Sequence, residues 1–456
     1  MTIPQPMSER SDFVILGAGV CGLYGALTAL RKGASVTLVE KSLQPGGLAA
    51  GFERRGNYFD QGVHMLHATD REIYDDVAEL MGDERLPVAL DARIRWNKRA
   101  YRYPLKGFDI LAGMNPFQLV RCSLGLAFAE LANRLHQTQA AAITAEDALI
   151  ATYGSPLYEF FFEEFTHKYW NLHPRQLSAE FVRRKMPRLN ILDLARKCLP
   201  RFFNQKAESL VVESALADEI LHYSATGAET LPRVLAREVE RLGGVIHYGA
   251  AITGITPTEL RFSGQSCHFQ KLLSTIPLPA LIDRIVGAPD EVRAAAGSLK
   301  YKPIVTYGIL VRKERSLEGL YTYYRDRIFH RVGEPKNAGL KVRPGDHTVL
   351  IVEMTCDRDD SKWQDAPEVR RRVIADLAAE GICEPGEIVE WNHFANPHGY
   401  PVYALDFEKG LEVVRKWLDS QPRLVSTGRQ GAFTFPGMHQ AMRMGQVAVA
   451  DLLSRD

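Results

Sequence analysis

The segment that most constrains this chain is Gly17-Ala18-Gly19-Val20-Cys21-Gly22, which satisfies the pattern GxGxxG. Alone the pattern is weak, because glycines gather in many turns. Its surroundings give it meaning. Residues 12–16 (DFVIL) read as a short buried strand, a helix follows, and a second strand, Ser35 to Val39, ends at Glu40. An acidic residue closing the second strand about 20 residues beyond the glycines completes the fingerprint of a dinucleotide site. Gly17 permits the tight turn, Gly19 leaves room for a pyrophosphate, and Gly22 lets helix and strand pack closely. The helix N-terminus offers unpaired N–H groups to the phosphates. Glu40 accepts hydrogen bonds from the adenosine ribose hydroxyls, and its charge disfavours a 2′-phosphate.

The chain has 456 residues, 46% of them hydrophobic, enough for a large core divided between two lobes. Its 56 basic and 55 acidic residues leave no surplus charge for a nucleic-acid surface. The six cysteines are scattered without a CxxC, which predicts a reducing compartment and no disulfide frame. The first ten residues, MTIPQPMSER, lack the apolar core of a secretory signal. No apolar run reaches the length of about 18 residues that a membrane span needs. Leu119 to Ala132 comes nearest, and it contains Arg121 and Glu130. The expectation is a cytoplasmic protein with a small-molecule substrate. Histidines and cysteines are dispersed, so no metal site is expected. Nothing in the sequence sets an oligomeric state.

Further along, Tyr58 to Leu66 reads as extended, and residues 93–103 (RIRWNKRAYRY) as a polar hairpin. Helical patterning dominates from Pro116 to about residue 200, broken by Gly154, Pro156, Pro174 and Pro187. A helix at 228–242 precedes the strand Val245 to Tyr248, and strands dominate 303–355. A strand is expected from Ile388 to His393. The chain closes with a strand at 423–427, a glycine-rich loop and a helix from about Met438.

Just beyond Glu40, residues 41–51 read KSLQPGGLAAG. This resembles the second glycine motif of FAD proteins related to monoamine oxidase, protoporphyrinogen oxidase, phytoene desaturase and UDP-galactopyranose mutase. The closing segment 423–447, RLVSTGRQGAFTFPGMHQAMRMGQV, is similar to the part of those families that contacts the flavin side of FAD. The resemblance implies FAD as cofactor and an α/β fold with a Rossmann-like domain of the glutathione reductase type beside a mixed helical and β-sheet substrate lobe. It implies FAD-binding parts at 1–90, 205–290 and 396–456, a helical substrate region at 91–204 and a β-rich one at 291–395. The implied cofactor positions are Gly17, Gly19, Gly22, Glu40, Lys41, Gly46, Gly47, Leu48, Gly62, Gly428, Arg429, Gly437, Met438 and Gln440.

Residues 58–67, YFDQGVHMLH, resemble the segment that in the mutases and the protoporphyrinogen oxidases places a histidine near the reactive edge of the flavin. That makes His64 a candidate catalytic residue. Residues 165–188, FTHKYWNLHPRQLSAEFVRRKMPR, resemble the mutase signature bordering the nucleotide-sugar pocket, with Lys168, Trp170, Pro174, Leu177, Ala179, Pro187 and Arg188 matching. Trp170 offers a stacking face and Arg188 a fork for a diphosphate. Tyr400-Pro401-Val402-Tyr403 resembles the mutase segment that precedes the closing helix; its tyrosine hydroxyls can serve a phosphate, and a plain turn accounts for it equally. Tyr301-Lys302 stands where the mutases tend to carry a Tyr-Arg pair, and lysine is a poorer planar fork.

Two chemistries follow from the resemblance. In one, an FAD-dependent oxidoreductase dehydrogenates a bulky, anionic or glycosyl-type substrate by hydride transfer to flavin N5. In the other, reduced flavin N5 acts as nucleophile on a sugar's anomeric carbon. The departures at Lys302, at residues 223–227 and at residues 272–279 favour the first. A flavin-binding scaffold without turnover is the third reading.

Overall fold

The computed structural model describes residues 10–96, 99–103, 114–136, 138–185 and 220–455. Strand β1 (Arg10–Leu16) alternates its side chains between two cores: Phe13 and Ile15 enter one, Val14 and Leu16 the other. A central parallel strand covered on both faces reads in this way as a continuous apolar run. The chain then forms helix α1 (Val20–Arg31) and strand β2 (Val36–Val39), followed by the hairpin β3 (Gly51–Arg54) and β4 (Asn57–Asp60). Helix α2 (Arg71–Met81) is capped by Asp70, whose carboxylate accepts the Ile73 N–H at 3.3 Å. Strand β5 (Leu86–Ala89) precedes the hairpin β6 (Ala92–Trp96) and β7 (Arg99–Tyr103). A helical region follows, with α3 (Pro116–His136), α4 (Ala145–Tyr153) and α5 (Glu163–Trp170). The start of α4 is fixed by a capping box in which Thr144 and Asp147 satisfy each other's backbone N–H groups.

Strand β8 (Ile220–Tyr223) pairs back onto β5. Helix α6 (Thr230–Arg241) leads to β9 (Val245–His247), β10 (Ile252–Ile255), β11 (Glu259–Phe262) and β12 (Gln265–Ser274). The antiparallel strands β13 (Tyr301–Val311), β14 (Tyr321–Tyr324), β15 (Arg331–Gly333), β16 (Thr348–Thr355) and β17 (Ile388–Pro401) come next. Strand β18 (Leu424–Ser426) and helix α7 (Met438–Ser454) end the fold.

Two large sheets organise these elements. The first has the order β10-β11-β12-β1-β2-β9, with β18 also paired to β12, and β9, β2, β1, β12 and β18 run parallel. It is therefore assembled from segments far apart in the chain, with α1, α6 and α7 packed on one face. The second sheet has the order β17-β13-β16-β15-β14-β6-β7. One face of it packs a core of Val305, Tyr307, Ile309 and Val352 against the helix Pro367–Ala379.

Two elements differ from the sequence expectation. Strand β17 continues past His393 to Pro401, because its second half still pairs with Tyr301 to Ile304 beyond a bulge. Strand β4 ends at Asp60 instead of running to Leu66. The Val63 N–H donates to the carboxylate of Glu353 at 2.8 Å and the Leu66 N–H to the His222 carbonyl at 3.1 Å, so this stretch leaves the ladder.

Asp60 anchors that departure. It is buried, accepts the Tyr223 hydroxyl and the Ala228 N–H, and burial pushes its carboxyl up to about 7. Between the ordinary carboxyl range and pH 7 the native state therefore holds a proton that the unfolded chain has released. Stability contributed here is full at low pH and falls as pH rises towards 7. Urea midpoints should show this slope in the wild type and a flatter profile in Asp60→Asn; equal slopes would contradict the assignment.

Candidate functional site

The parallel strands β1, β2, β12 and β18 end side by side, and the residues just past their carboxyl ends meet around one cavity. Gly17 follows β1, Glu40 follows β2, Thr275 follows β12 and Gly428 lies shortly after β18. The crevice outside the carboxyl ends of parallel strands is where open α/β sheets bind ligands. The cavity measures about 610 Å³. Its walls include Gly17, Gly19, Glu40, Lys41, Gly46, Gly47, Leu48, His64, Gly428, Arg429, Gly437 and Met438.

The glycines act in three different ways. Gly17 has φ +100°, and a Cβ there would lie 2.6 Å from Thr275 Oγ1. A Cβ on Gly22 would lie 2.0 Å from the Gly17 carbonyl oxygen, so the turn and α1 close on each other only without one. Gly19 meets nothing within 4 Å, because its missing side chain faces the cavity. Gly19 is also the N-cap of α1 and no side chain caps it, which leaves helix N–H groups aimed at the cavity.

Both carboxylate oxygens of Glu40 accept backbone N–H groups, from Ala18 and from Ser42, each at 2.7 Å. These bonds hold the carboxylate at the cavity wall, and its further lone pairs stay open to hydroxyl donors. Arg429 donates to the carbonyl oxygen of Pro436 at 2.9 Å, stacks over the Tyr400 ring at 5.5 Å, and has no carboxylate partner among the described residues. The cavity therefore joins a carboxylate with lone pairs open to hydroxyl donors, open helix N–H groups and a guanidinium without a carboxylate partner among the described residues, a donor set that suits a dinucleotide. Its walls fit such a group, since the space over Gly19 is open.

His64 lines the same cavity. Burial pushes its imidazole down to about 4, and its Nδ1 is buried without a hydrogen-bond partner. The ring is therefore neutral near pH 7 and keeps one polar nitrogen unmatched. Behind it lies a buried charge cluster that sequence reasoning missed. Glu353 on β16 receives two bonds from Arg331 on β15, one of them at 2.8 Å, as well as the Val63 N–H. Burial pushes the Glu353 carboxyl up, but the Arg331 charge and the bonds from His330 and Arg331 outweigh it and hold the group well below the usual carboxylate range. Arg331 also lies 5.6 Å over both Tyr321 and Tyr323. The one signal available in the sequence was a lone Glu inside the apolar run 348–355, since an unpaired buried charge is prohibitively costly.

Among the remaining sequence candidates, Trp170, Lys168, Tyr301, Tyr400, Tyr403, Gly62 and Gln440 are not among the residues that line the cavity. Trp170 is buried beside Tyr169, Phe181, Tyr400 and Phe435, and the Tyr169 and Tyr400 rings are 5.6 Å apart. Lys168 does not line the cavity: its ammonium donates to the carbonyls of Tyr324, Arg325 and Phe329 at 2.8–3.0 Å, clipping α5 to the turn before Arg331. Tyr301 donates its hydroxyl to the Gln430 carbonyl at 2.6 Å, and Lys302 is buried against Asp357 at 2.6 Å. Tyr403 is buried, stacked on Phe407, with its hydroxyl donated to the Phe433 carbonyl. Gln440 accepts the Gly437 N–H and so caps α7, and Gly62 packs against the His64 ring and Glu353. Arg188 lies outside the described residues. His398 and Asn396, which the sequence did not single out, line the cavity from β17.

The family described as flavin containing amine oxidoreductase matches residues 20–452. A probable UDP-galactopyranose mutase from Klebsiella pneumoniae is 24% identical over 207 residues, 44% of this chain and 50% of that protein. Hydroxyneurosporene desaturase from Cereibacter sphaeroides is 36% identical over 89 residues, 18% of each. The matches thus span half or less of these curated relatives. A crystal structure of reduced UDP-galactopyranose mutase superposes with a TM-score of 0.80 at 19% identity, covering 98% of this chain and 94% of that one.

Removing the charge of Glu353 should leave Arg331 buried and unpaired. Glu353→Gln is expected to cost about 3–5 kcal/mol at neutral pH. The deficit should narrow below about pH 4, where the unfolded wild-type chain takes up the proton that native Glu353 refuses. Chemical denaturation at pH 7 and pH 3.5 checks both points; a deficit that stays constant would count against the ion pair.

Proposed function

We propose, for a chain that belongs to the flavin containing amine oxidoreductase family, an FAD-dependent oxidoreductase acting on a bulky substrate of nucleotide-sugar or glycosyl type. The family implies a flavin cofactor, and FAD is the form this cavity suits. The observation that carries the proposal is one cavity that gathers four parallel strand ends, Glu40, the open Gly19 position and the neutral His64.

In this reading Glu40 holds the adenosine ribose, the α1 N-terminus and Gly47 border the pyrophosphate, and Arg429, Gly437 and Met438 border the ring. When bound, FAD supplies an N5 that accepts hydride from a substrate C–H. His64 orients the reacting groups through an uncharged ring nitrogen. The ring cluster of Tyr400 and Trp170 is proposed to back the substrate space, and Arg188 to grip an anionic group on the substrate. The whole chain is proposed to divide as the resemblance implies, with the nucleotide lobe drawn from residues 1–90, 205–290 and 396–456.

The second reading is a mutase-like enzyme in which reduced flavin acts as nucleophile on a sugar's anomeric carbon. The match over 44% of the chain to a probable UDP-galactopyranose mutase supports it. Against it stand Lys302 and Tyr301, whose polar atoms are both engaged within the protein. Substrate-dependent reduction of an electron acceptor would support the oxidoreductase. Isomerisation of a UDP-sugar by reduced protein with no net electron transfer would support the mutase. Flavin that no compound in a metabolite panel reduces or uses would favour a scaffold.

Gly19→Val should abolish cofactor retention, because the side chain would enter the space the dinucleotide needs. Purified variant with the full yellow absorbance of the wild type would overturn the site. His64→Ala should retain the flavin yet lower kcat by roughly ten-fold or more, the order expected for losing an orienting group. The pH profile of kcat/KM should show no limb near 6.5 that disappears in the variant, since burial keeps this histidine uncharged there.

A further inference from the structure

Helix α3 is apolar on two sides. Cys122, Leu126 and Ala129 are buried toward α4 and the turn around Pro156. On the outward side Phe117, Val120, Leu124, Phe128, Leu131 and Leu135 follow one another at helical spacing, and each is between 53% and 78% exposed. Ile143 extends the patch at 75% exposed. A surface helix normally turns polar residues outward, and one that is apolar all round is covered all round.

The patch is large. With whole side chains offering roughly 150–250 Å² for an aromatic residue and somewhat less for an aliphatic one, the exposed fractions amount to on the order of 800 Å². That exceeds the apolar patches monomers usually display and is about the share each partner buries in a stable interface. A groove of about 830 Å³ adjoins the ridge, lined by Ala129, Ala132, Ala142 and Pro156 together with Leu124, Phe128 and Ile143 of the patch itself. A ridge of Phe and Leu and a groove of Ala on the same surface are what a two-fold contact needs, since each copy presents both.

Charge separates the possible occupants. The arginines of α3 are already matched: Arg121 pairs with Glu159 at 2.8 Å and Arg134 with Glu130 at 2.9 Å. A helix that lies on an anionic membrane carries a surplus of Lys and Arg on its polar face. Here the rim is balanced, which suits a partner whose rim is equally balanced. We propose that this face is where two copies of the chain meet about a two-fold axis, α3 packed against α3. The proposal stands apart from the flavin reading, because no residue of the cavity takes part.

Sedimentation velocity of the full chain over the micromolar range tests it. The wild type should run at twice the chain mass. Phe128→Glu combined with Leu131→Glu should run at the chain mass while keeping the wild-type circular dichroism and thermal midpoint. Should that pair of charges prevent folding, Leu124→Ser with Phe128→Ser applies the same test more mildly. A monomeric wild type, or a dimer that the folded variants leave intact, would overturn the proposal. So would wild-type monomer that co-sediments with phosphatidylcholine–phosphatidylglycerol vesicles while the variants do not, since the face would then belong to lipid.

Discussion

The carboxylate of Glu353 ties together parts of the chain that the backbone keeps apart. It sits on β16, takes the guanidinium of Arg331 from the neighbouring strand, and accepts the N–H of Val63 from the loop after β4. Removing such a group from water is costly, and only multiple partners at hydrogen-bond distance offset the loss. Because the loop satisfies Glu353, its backbone must leave the β3–β4 ladder, and that departure turns His64 toward the cavity. The same cluster joins two central strands of the second sheet to the loop after β4. Lys168 acts in parallel on the helical side. Its three carbonyl contacts fix α5, with Trp170 at its end, to the turn that delivers Arg331. Trp170, the Arg331 guanidinium and the His64 imidazole are thus positioned by buried polar contacts rather than by the sheets alone.

The opposite end of the cavity rests on a different principle. Backbone geometry, not side-chain pairing, sets it: a positive φ at Gly17, an uncapped helix start at Gly19, and a carboxylate on Glu40 held by two amides. These features are local to the chain, so each is encoded within a few residues. The strands that complete the cavity come from residues near 275 and 428, but they repeat the same plan of strand, tight turn and helix.

That contrast explains what the sequence disclosed. The strand and helix order around Gly17, the acidic end of β2 and the closing helix from Met438 were legible because periodicity and glycine spacing carry them, whereas Arg429 came only from the family resemblance. The Glu353–Arg331 pair was not, because it joins two strands through space and neither residue belongs to a spaced pattern. Tyr301, Tyr403 and Lys168 show the reverse effect. Each matched a motif expected to face substrate, and each spends its polar atoms on backbone carbonyls inside the protein. A polar side chain in a motif says that a hydrogen bond is needed there, not whether its partner is a ligand or the chain itself. Gln440 is the same case on a smaller scale, a helix cap within a cofactor-like segment.

The electrostatics around His64 then bear on which chemistry the cavity suits. Arg331 and Glu353 neutralise each other, and burial holds both His64 and His330 below their ordinary range. A group that keeps one charge state across pH 5 to 8 can orient a partner but is a poor proton shuttle, since shuttling works best when the pKa lies near the operating pH. Reactions that depend on removing a proton would need another base. Hydride transfer from carbon depends chiefly on placement, on a dry surround and on a field that does not change during turnover. In the proposed oxidoreductase the pair behind His64 would supply such a field, because neither partner can change its charge without leaving the other unpaired.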